Sequence, residues 1–144
     1  MNPGCVVRPN SAQDVSTIIK TLVQCMDIDS ASCKFAIRGG GHTPWIGSAN
    51  IEGGVTIDMK QMDQIDVSED KTIVSVGAGA IWGEVYKKTD SFGLSVVGGR
   101  GASIGVGGLL TGGKRRQFAM SKVFKAEHPS RWHFLFFCSQ GFCM

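Results

Sequence analysis

Long hydrophobic runs are missing from this sequence. No apolar stretch approaches the roughly 20 residues that a helix needs to cross a bilayer, which excludes a helical membrane-spanning protein. A secretory leader is missing as well. Met1-Asn2-Pro3-Gly4 offers neither a basic n-region nor an apolar h-region, so no signal is expected at this start and no localisation follows from it. Cysteine is sparse and irregular: Cys5, Cys25, Cys33, Cys138 and Cys143 do not make a disulfide scaffold, and their odd number leaves at least one unpaired within the chain. Cys25 and Cys33 are expected to be small buried apolar residues or one local pair, which leaves the redox compartment open. Tyrosine occurs once, at Tyr86. The 144 residues give room for one modest domain and exclude a large multi-domain enzyme.

Glycine, by contrast, is abundant. Twenty of the residues are glycine, about twice the usual share and with no collagen period, so many backbone positions need positive φ or close approach to something. The composition also changes abruptly at Gly113. Residues 1–113 carry 9 Lys+Arg against 11 Asp+Glu, a net of −2, whereas residues 114–144 carry 6 against 1, a net of +5. The first part holds 19 of the 20 glycines, while the last 31 residues hold six of the eight phenylalanines. Two kinds of sequence are joined there.

Along the first part, Val6-Val7-Arg8-Pro9 suits a short strand closed by proline. Ser11-Ala12-Gln13-Asp14 is a capping-box variant, and Val15, Ile18, Ile19, Leu22, Val23 and Met26 recur at helical spacing, which predicts an amphipathic helix over 12–26. Lys34 to Ile37 forms a short apolar run into Arg38 and three glycines, as a buried strand entering a tight loop would. Gly54 to Asp58 repeats the strand pattern. Gln64 to Val67 and Thr72 to Val76 flank the polar Ser68-Glu69-Asp70-Lys71 turn as a hairpin. A second helix is expected from Ala80 to Ser91, burying Ile81, Trp82 and Val85 and stopping at Gly93. Strands and helices alternate, so the fold class is α+β or α/β. Half of the residues from Gly98 to Gly113 are glycine, and a loop or series of turns is expected there rather than a regular element.

Glycine-rich turns between strands and helices present backbone N–H groups without side-chain obstruction and so suit phosphates. Two such segments are present, Arg38-Gly39-Gly40-Gly41-His42 with Gly47-Ser48, and Gly98 through Gly113. Two familiar nucleotide motifs fail. Gly108 to Gly113-Lys114 begins like a P-loop, but Arg115 stands where Ser or Thr must hold magnesium. The G-x-G-x-x-G pattern starting at Gly105-Val106-Gly107 meets Leu110 where it requires glycine.

Read together and in order, Phe35-Ala36-Ile37-Arg38-Gly39-Gly40-Gly41-His42-Thr43-Pro44 with Gly47-Ser48, Gly54-Val55-Thr56-Ile57-Asp58, Val76-Gly77-Ala78-Gly79-Ala80, Trp82-Gly83 and Gly105-Val106-Gly107-Gly108-Leu109 form a set. The set resembles the flavin-binding domain of the berberine-bridge-enzyme-like FAD-linked oxidoreductases of the vanillyl-alcohol-oxidase superfamily, in a fungal version. The resemblance covers residues 5–113. It implies an α+β, PCMH-type FAD-binding lobe and a parent activity in which a small organic substrate of secondary metabolism is oxidised by hydride transfer to flavin with molecular oxygen as acceptor. Position by position, it implies that Arg38, Gly39, Gly40 and Gly41 hold the FAD pyrophosphate. It further implies that His42 bonds covalently to the C8 methyl group of the isoalloxazine, and that Ser48, Ser103, Gly105, Gly107 and Gly108 complete the cofactor site. A neutral imidazole is a competent nucleophile near pH 7, which suits that bond. Some members have a second link through a cysteine, but Gly101 stands at the corresponding position here, so His42 would act alone.

The resemblance ends at Lys114. Its members continue with further strands and a substrate domain, and often use tyrosine bases; Tyr86 lies on the expected second helix and reads as a packing residue, so no catalytic base is assigned. Both ends are expected to be cut, and the change at Gly113 is what a retained intron, altered frame or mis-joined gene would give; transcript sequence across the codons for Gly113 and Lys114 tests this. Residues 114–144 are expected to be a poorly ordered basic, aromatic tail. Its His128, His133, Cys138 and Cys143 fall at five-residue intervals, unlike the close ligand pairs of a zinc module, so no metal and no nucleic-acid partner is expected. The chain alone is expected to turn over no substrate and to attach flavin weakly. The alternative class is a truncated, non-catalytic protein or interaction module without flavin chemistry.

Overall fold

The computed structural model describes residues 1–112 and 133–137. Its first layer is a three-stranded parallel sheet of β1 (Cys5–Val7), β2 (Phe35–Arg38) and β3 (Val55–Asp58), in the order β1-β3-β2. Val7, Ile57 and Ile37 stand in register across it, as do Arg38 and Asp58. Helix α1 (Ala12–Met26) connects β1 to β2. It starts as expected: the Ser11 hydroxyl accepts from the Asp14 amide, and the Asp14 carboxylate accepts from the Ser11 amide, satisfying two otherwise orphaned donors.

Val15, Ile18, Ile19 and Leu22 of α1 pack with Val7, Phe35, Ile57, Met59 and Met62 in one apolar cluster. Val23 and Met26, expected on the same stripe, are exposed instead. The reason is partly one of length, since a 15-residue helix runs about 22 Å whereas three- and four-residue strands cover only about 10–14 Å beneath it. A disulfide joins Cys25 to Cys33 across the α1–β2 connection, their Cα atoms 5.7 Å apart, while Cys5 is free and exposed.

The second layer is antiparallel. A 3-10 turn (Met59–Gln61) leads from β3 into the hairpin of β4 (Ile65–Val67) and β5 (Ile73–Gly77), close to the expected limits. The Asp70 carboxylate accepts from Ser68 and Thr72 in the turn, and Lys71 adopts a left-handed φ of 57°. Helix α2 (Trp82–Asp90) follows, burying Trp82 and Val85 as expected, with Ile81 half-buried at its N-cap. The Trp82 ring centres a second cluster with Val74, Val76, Ala80, Val85, Val96 and Val106.

The glycine run from 98 to 113 is not all loop. Val106–Thr111 form a short helix, α3, despite Gly107 and Gly108 within it. Helix propensity disfavours glycine there by about 1 kcal/mol per residue, but backbone proximity overrides it: a Cβ on Gly107 would stand 2.8 Å from the Ala78 carbonyl oxygen. The last described strand, β6 (His133–Phe137), pairs antiparallel with the free edge of β5, from Gly77↔His133 to Ile73↔Phe137. The apolar cluster of the tail is thus an edge strand of the hairpin sheet. The rest of the expected tail, with His128, Cys138 and Cys143, lies outside the described residues.

Candidate functional site

The two glycine segments meet. The first leaves β2 at Arg38, and the second enters α3 at its N-cap, Gly105, which an isolated bridge ties to Ile81. A Cβ on Gly40 would stand 2.5 Å from the Gly105 nitrogen, and one on Gly105 would overlap the Gly40 nitrogen. Only two glycines can make this backbone-on-backbone crossing. A Cβ on Gly39 would in turn lie 3.8 Å from the Gly108 nitrogen. Among the described residues, the amides of Gly40, Gly41, His42, Gly105, Gly107 and Gly108 donate to no protein acceptor. Those of Gly107 and Gly108 belong to the first turn of α3, which has no intrahelical acceptor for them. Six N–H donors without a protein acceptor thus lie on the two segments that cross, an arrangement suited to a phosphate anion.

Beside the crossing is a cleft of about 610 Å³ lined by Arg8, Arg38, Gly39, Gly40, Asp58, Lys60, Asp63, Gly79, Ala80, Ile81 and Glu84. Asp58 is its anchor. One carboxylate oxygen accepts from the Arg38 guanidinium at 3.0 Å and from Arg8 Nε at 3.4 Å, and the other accepts from the Lys60 amide at 3.3 Å. Its side chain is only 6% exposed. Burial alone would raise its pKa; the Arg38 hydrogen bond and charge, with help from Arg8 and the Lys60 amide, outweigh burial and hold the carboxyl below the ordinary carboxylate range. A depressed folded-state pKa contributes stability that is present above the unfolded value of about 3.9 and lost as pH falls through the folded value. Asp58→Asn is therefore expected to flatten the acid limb of a melting-temperature profile below about pH 4, and an unchanged limb would count against this pairing.

The other expected residues are placed as follows. Gly41 has a φ of +66°, which turns the chain away from β2 and leaves His42 exposed just beyond the crossing. Ser48 is exposed, and its hydroxyl donates to Thr43 Oγ1 or the Trp45 carbonyl rather than to a backbone amide of the crossing. With Arg38 and Gly41, the 43–50 segment lines a second hollow of about 320 Å³, where Trp45 and Ile46 are 77% and 88% exposed. Ser103 contributes its carbonyl oxygen near Gly40, 3.4 Å from where a Cβ would stand. Tyr86 stacks on Trp82 with ring centroids 5.6 Å apart and donates to the Gly99 carbonyl at 2.8 Å, which fits a packing residue. Burial raises its pKa above the ordinary phenol value. Among the described residues no group of three or more His, Cys, Asp or Glu could hold a metal ion, and no helix is long and apolar enough to cross a membrane.

A model of the FAD binding domain matches residues 3–121, most of the chain and eight residues past the composition change at Gly113. The chain belongs to this FAD-binding family. The domain is 42% identical over 117 residues to FAD-dependent monooxygenase tpcD of Cochliobolus heterostrophus, a match covering 81% of this chain and 21% of that protein. It shares its fold with 6-hydroxy-D-nicotine oxidase of Arthrobacter nicotinovorans at a TM-score of 0.60 and 29% identity, over 70% of this chain and 21% of that one. Glucooligosaccharide oxidase of Acremonium strictum, with a 6-S-cysteinyl, 8α-N1-histidyl FAD, gives a TM-score of 0.55 at 24% identity, over 74% and 22%. These neighbours share the fold of the FAD-binding domain, and FAD is the cofactor of the family to which the chain belongs. The chain spans about a fifth of the length of the curated relative and of the solved chains named here.

The cradle on this chain fits that cofactor: the six amides and the two arginines beside the crossing are donors, and a pyrophosphate is an acceptor-only dianion. Arg8, Asp58 and Lys60 were not singled out from the sequence. The registers of β1 and β2 on β3, which bring Arg8 just past the Val7–Ile57 pair and set Arg38 opposite Asp58, build this part of the cleft, and no local motif encodes them.

Proposed function

We propose that this chain builds the pyrophosphate-binding side of the FAD site of an oxidoreductase acting on a small organic molecule, with molecular oxygen as acceptor. The observation that carries the reading is that the two segments bearing six free amides cross at Gly40 and Gly105, in a chain that belongs to the FAD-binding family. Gly40, Gly41 and His42 offer their N–H groups from one side, Gly105, Gly107 and Gly108 from the other. Bound flavin would supply the hydride acceptor. The exposed His42 imidazole, one residue past the left-handed turn at Gly41, is the residue proposed to hold flavin covalently; among the described residues it makes no hydrogen bond that would occupy either ring nitrogen.

The test is flavin retention. Protein made with ample FAD is expected to carry yellow cofactor, and any flavin fluorescence that survives acid denaturation is expected to vanish in His42→Ala. Acid-stable flavin in that variant would remove His42 from the role, and protein that stays colourless would favour a non-catalytic binding module. Turnover of alcohols or amines by the 144-residue chain, followed as hydrogen peroxide release, is expected to be absent. The described residues contain no assigned base, and positioning of substrate against flavin is worth up to roughly 7–11 kcal/mol of barrier.

A further inference from the structure

Asp58 is an unusual wall for an anion site. A buried carboxylate beside a pyrophosphate repels it, and an ion pair to arginines that stay 58% and 33% exposed adds little stability. Charge counting does not explain it either. The cleft is lined by three cations, Arg8, Arg38 and Lys60, and three carboxylates, Asp58, Asp63 and Glu84, so its lining is neutral and carries no net attraction for an anion. What remains is arrangement. Asp58 takes one contact from each of two arginines, Arg8 just after β1 and Arg38 at the end of β2, and its second oxygen is fixed by the Lys60 amide. Side chains of Arg8 and Arg38 stay 58% and 33% exposed, so the guanidinium nitrogens that Asp58 does not engage are accessible beside Gly39 and Gly40.

We infer that Asp58 is a positioning residue for the cofactor: it locks Arg8 and Arg38 into a cationic fork beside the Gly39–Gly40 turn, and that fork receives the pyrophosphate of the dinucleotide. The inference rests on the FAD reading above. A planar guanidinium offers five donors in fixed directions, so spending one on Asp58 orients the others at little further entropic cost. Asp58 thus acts through the arginines and the turn that follows Arg38, without touching the cofactor.

The sign of one substitution separates this from a charge effect. Asp58→Asn makes the cleft lining one unit more positive; charge alone predicts tighter binding of FAD, whereas positioning predicts weaker binding. The full chain is titrated with FAD, and inorganic pyrophosphate is then used as competitor, with melting temperatures recorded in the same buffer. Expected is a loss of about tenfold in FAD affinity for Asp58→Asn, the equivalent of one charge-assisted hydrogen bond, and a matching loss in competition by pyrophosphate. Equal or tighter FAD binding would overturn the inference, as would weaker FAD binding with pyrophosphate competition unchanged, the mark of a merely structural residue. Should Asp58→Asn fail to fold, Arg38→Lys carries the test, since it keeps the charge and loses the fork. A loss of about tenfold is expected there too, and unchanged affinity would overturn the inference. A wild-type chain that binds no FAD would instead sink the FAD reading itself.

Discussion

Trp82→Ala is expected to destabilise the domain by about 3–5 kcal/mol, the range for truncating a fully buried aromatic side chain, which is a large share of the 5–15 kcal/mol typical of a domain. The Trp82 side chain is fully buried and central to the larger cluster, touching the elements that carry the Gly105 side of the crossing. Val74 and Val76 belong to β5, Val85 to α2 and Val106 to α3. The backbone at Gly98 and Gly99 lies directly on its ring; a Cβ on Gly99 would stand 2.6 Å from Trp82 Cδ1. Removing the ring therefore removes the platform under the segment that leads to Gly105. FAD affinity is expected to fall in Trp82→Ala even well below its melting temperature. Ile57→Ala, equally buried but in the α1 cluster, is expected to cost about 2–5 kcal/mol and to leave that affinity less affected. Chemical denaturation and flavin titration of the two variants side by side check this, and equal losses of affinity would refute the assignment.

Gly105→Ala and Gly108→Ala should differ in sign. Both glycines lie at the start of α3. An added Cβ at Gly105 overlaps the backbone nitrogen of Gly40, which cannot swing aside as a side chain could, so a cost of about 3 kcal/mol, the upper end for overpacking, is expected. At Gly108 an added Cβ meets no described atom within 4 Å, and alanine is the better helix former, so a gain of about 0.5–1 kcal/mol is expected. Urea denaturation of both variants decides it. Equal effects would mean that the two loops do not cross as described.

The elements that were legible beforehand are those whose signal is local. Ser11 and Asp14 mark the start of α1 through a reciprocal pair of hydrogen bonds, and the polar turn at 68–71 marks the hairpin. Both glycine segments need close backbone approach, as their composition shows, and Gly40 does meet Gly105. What local sequence could not carry was set by contacts across long stretches of chain. Glycine content argued against α3, yet Gly107 permits a helix to lie on the Ala78 carbonyl. Val23 and Met26 have the right spacing for the packed face of α1, but the sheet beneath is too short to cover them. Asp58 closes a strand like many others, and only the registers of β1 and β2 on β3 make it the anchor of two arginines.

That same strand imposes an order on folding. In the sheet β1-β3-β2, both outer strands pair only with β3, and Cys5 at the start of the chain finds its partner at Val55. Neither β1 nor β2 has a ladder to join until β3 has been made, so no part of this sheet can form by zipping up a local hairpin. Contacts of such high sequence separation slow folding, because the loop must be closed before any pairing rewards it. At synthesis rates of about 5–20 residues per second, α1 and the first glycine turn wait for seconds on the ribosome before the strand that will organise them appears. The cleft beside Asp58 can take shape only after that strand has docked between its two neighbours.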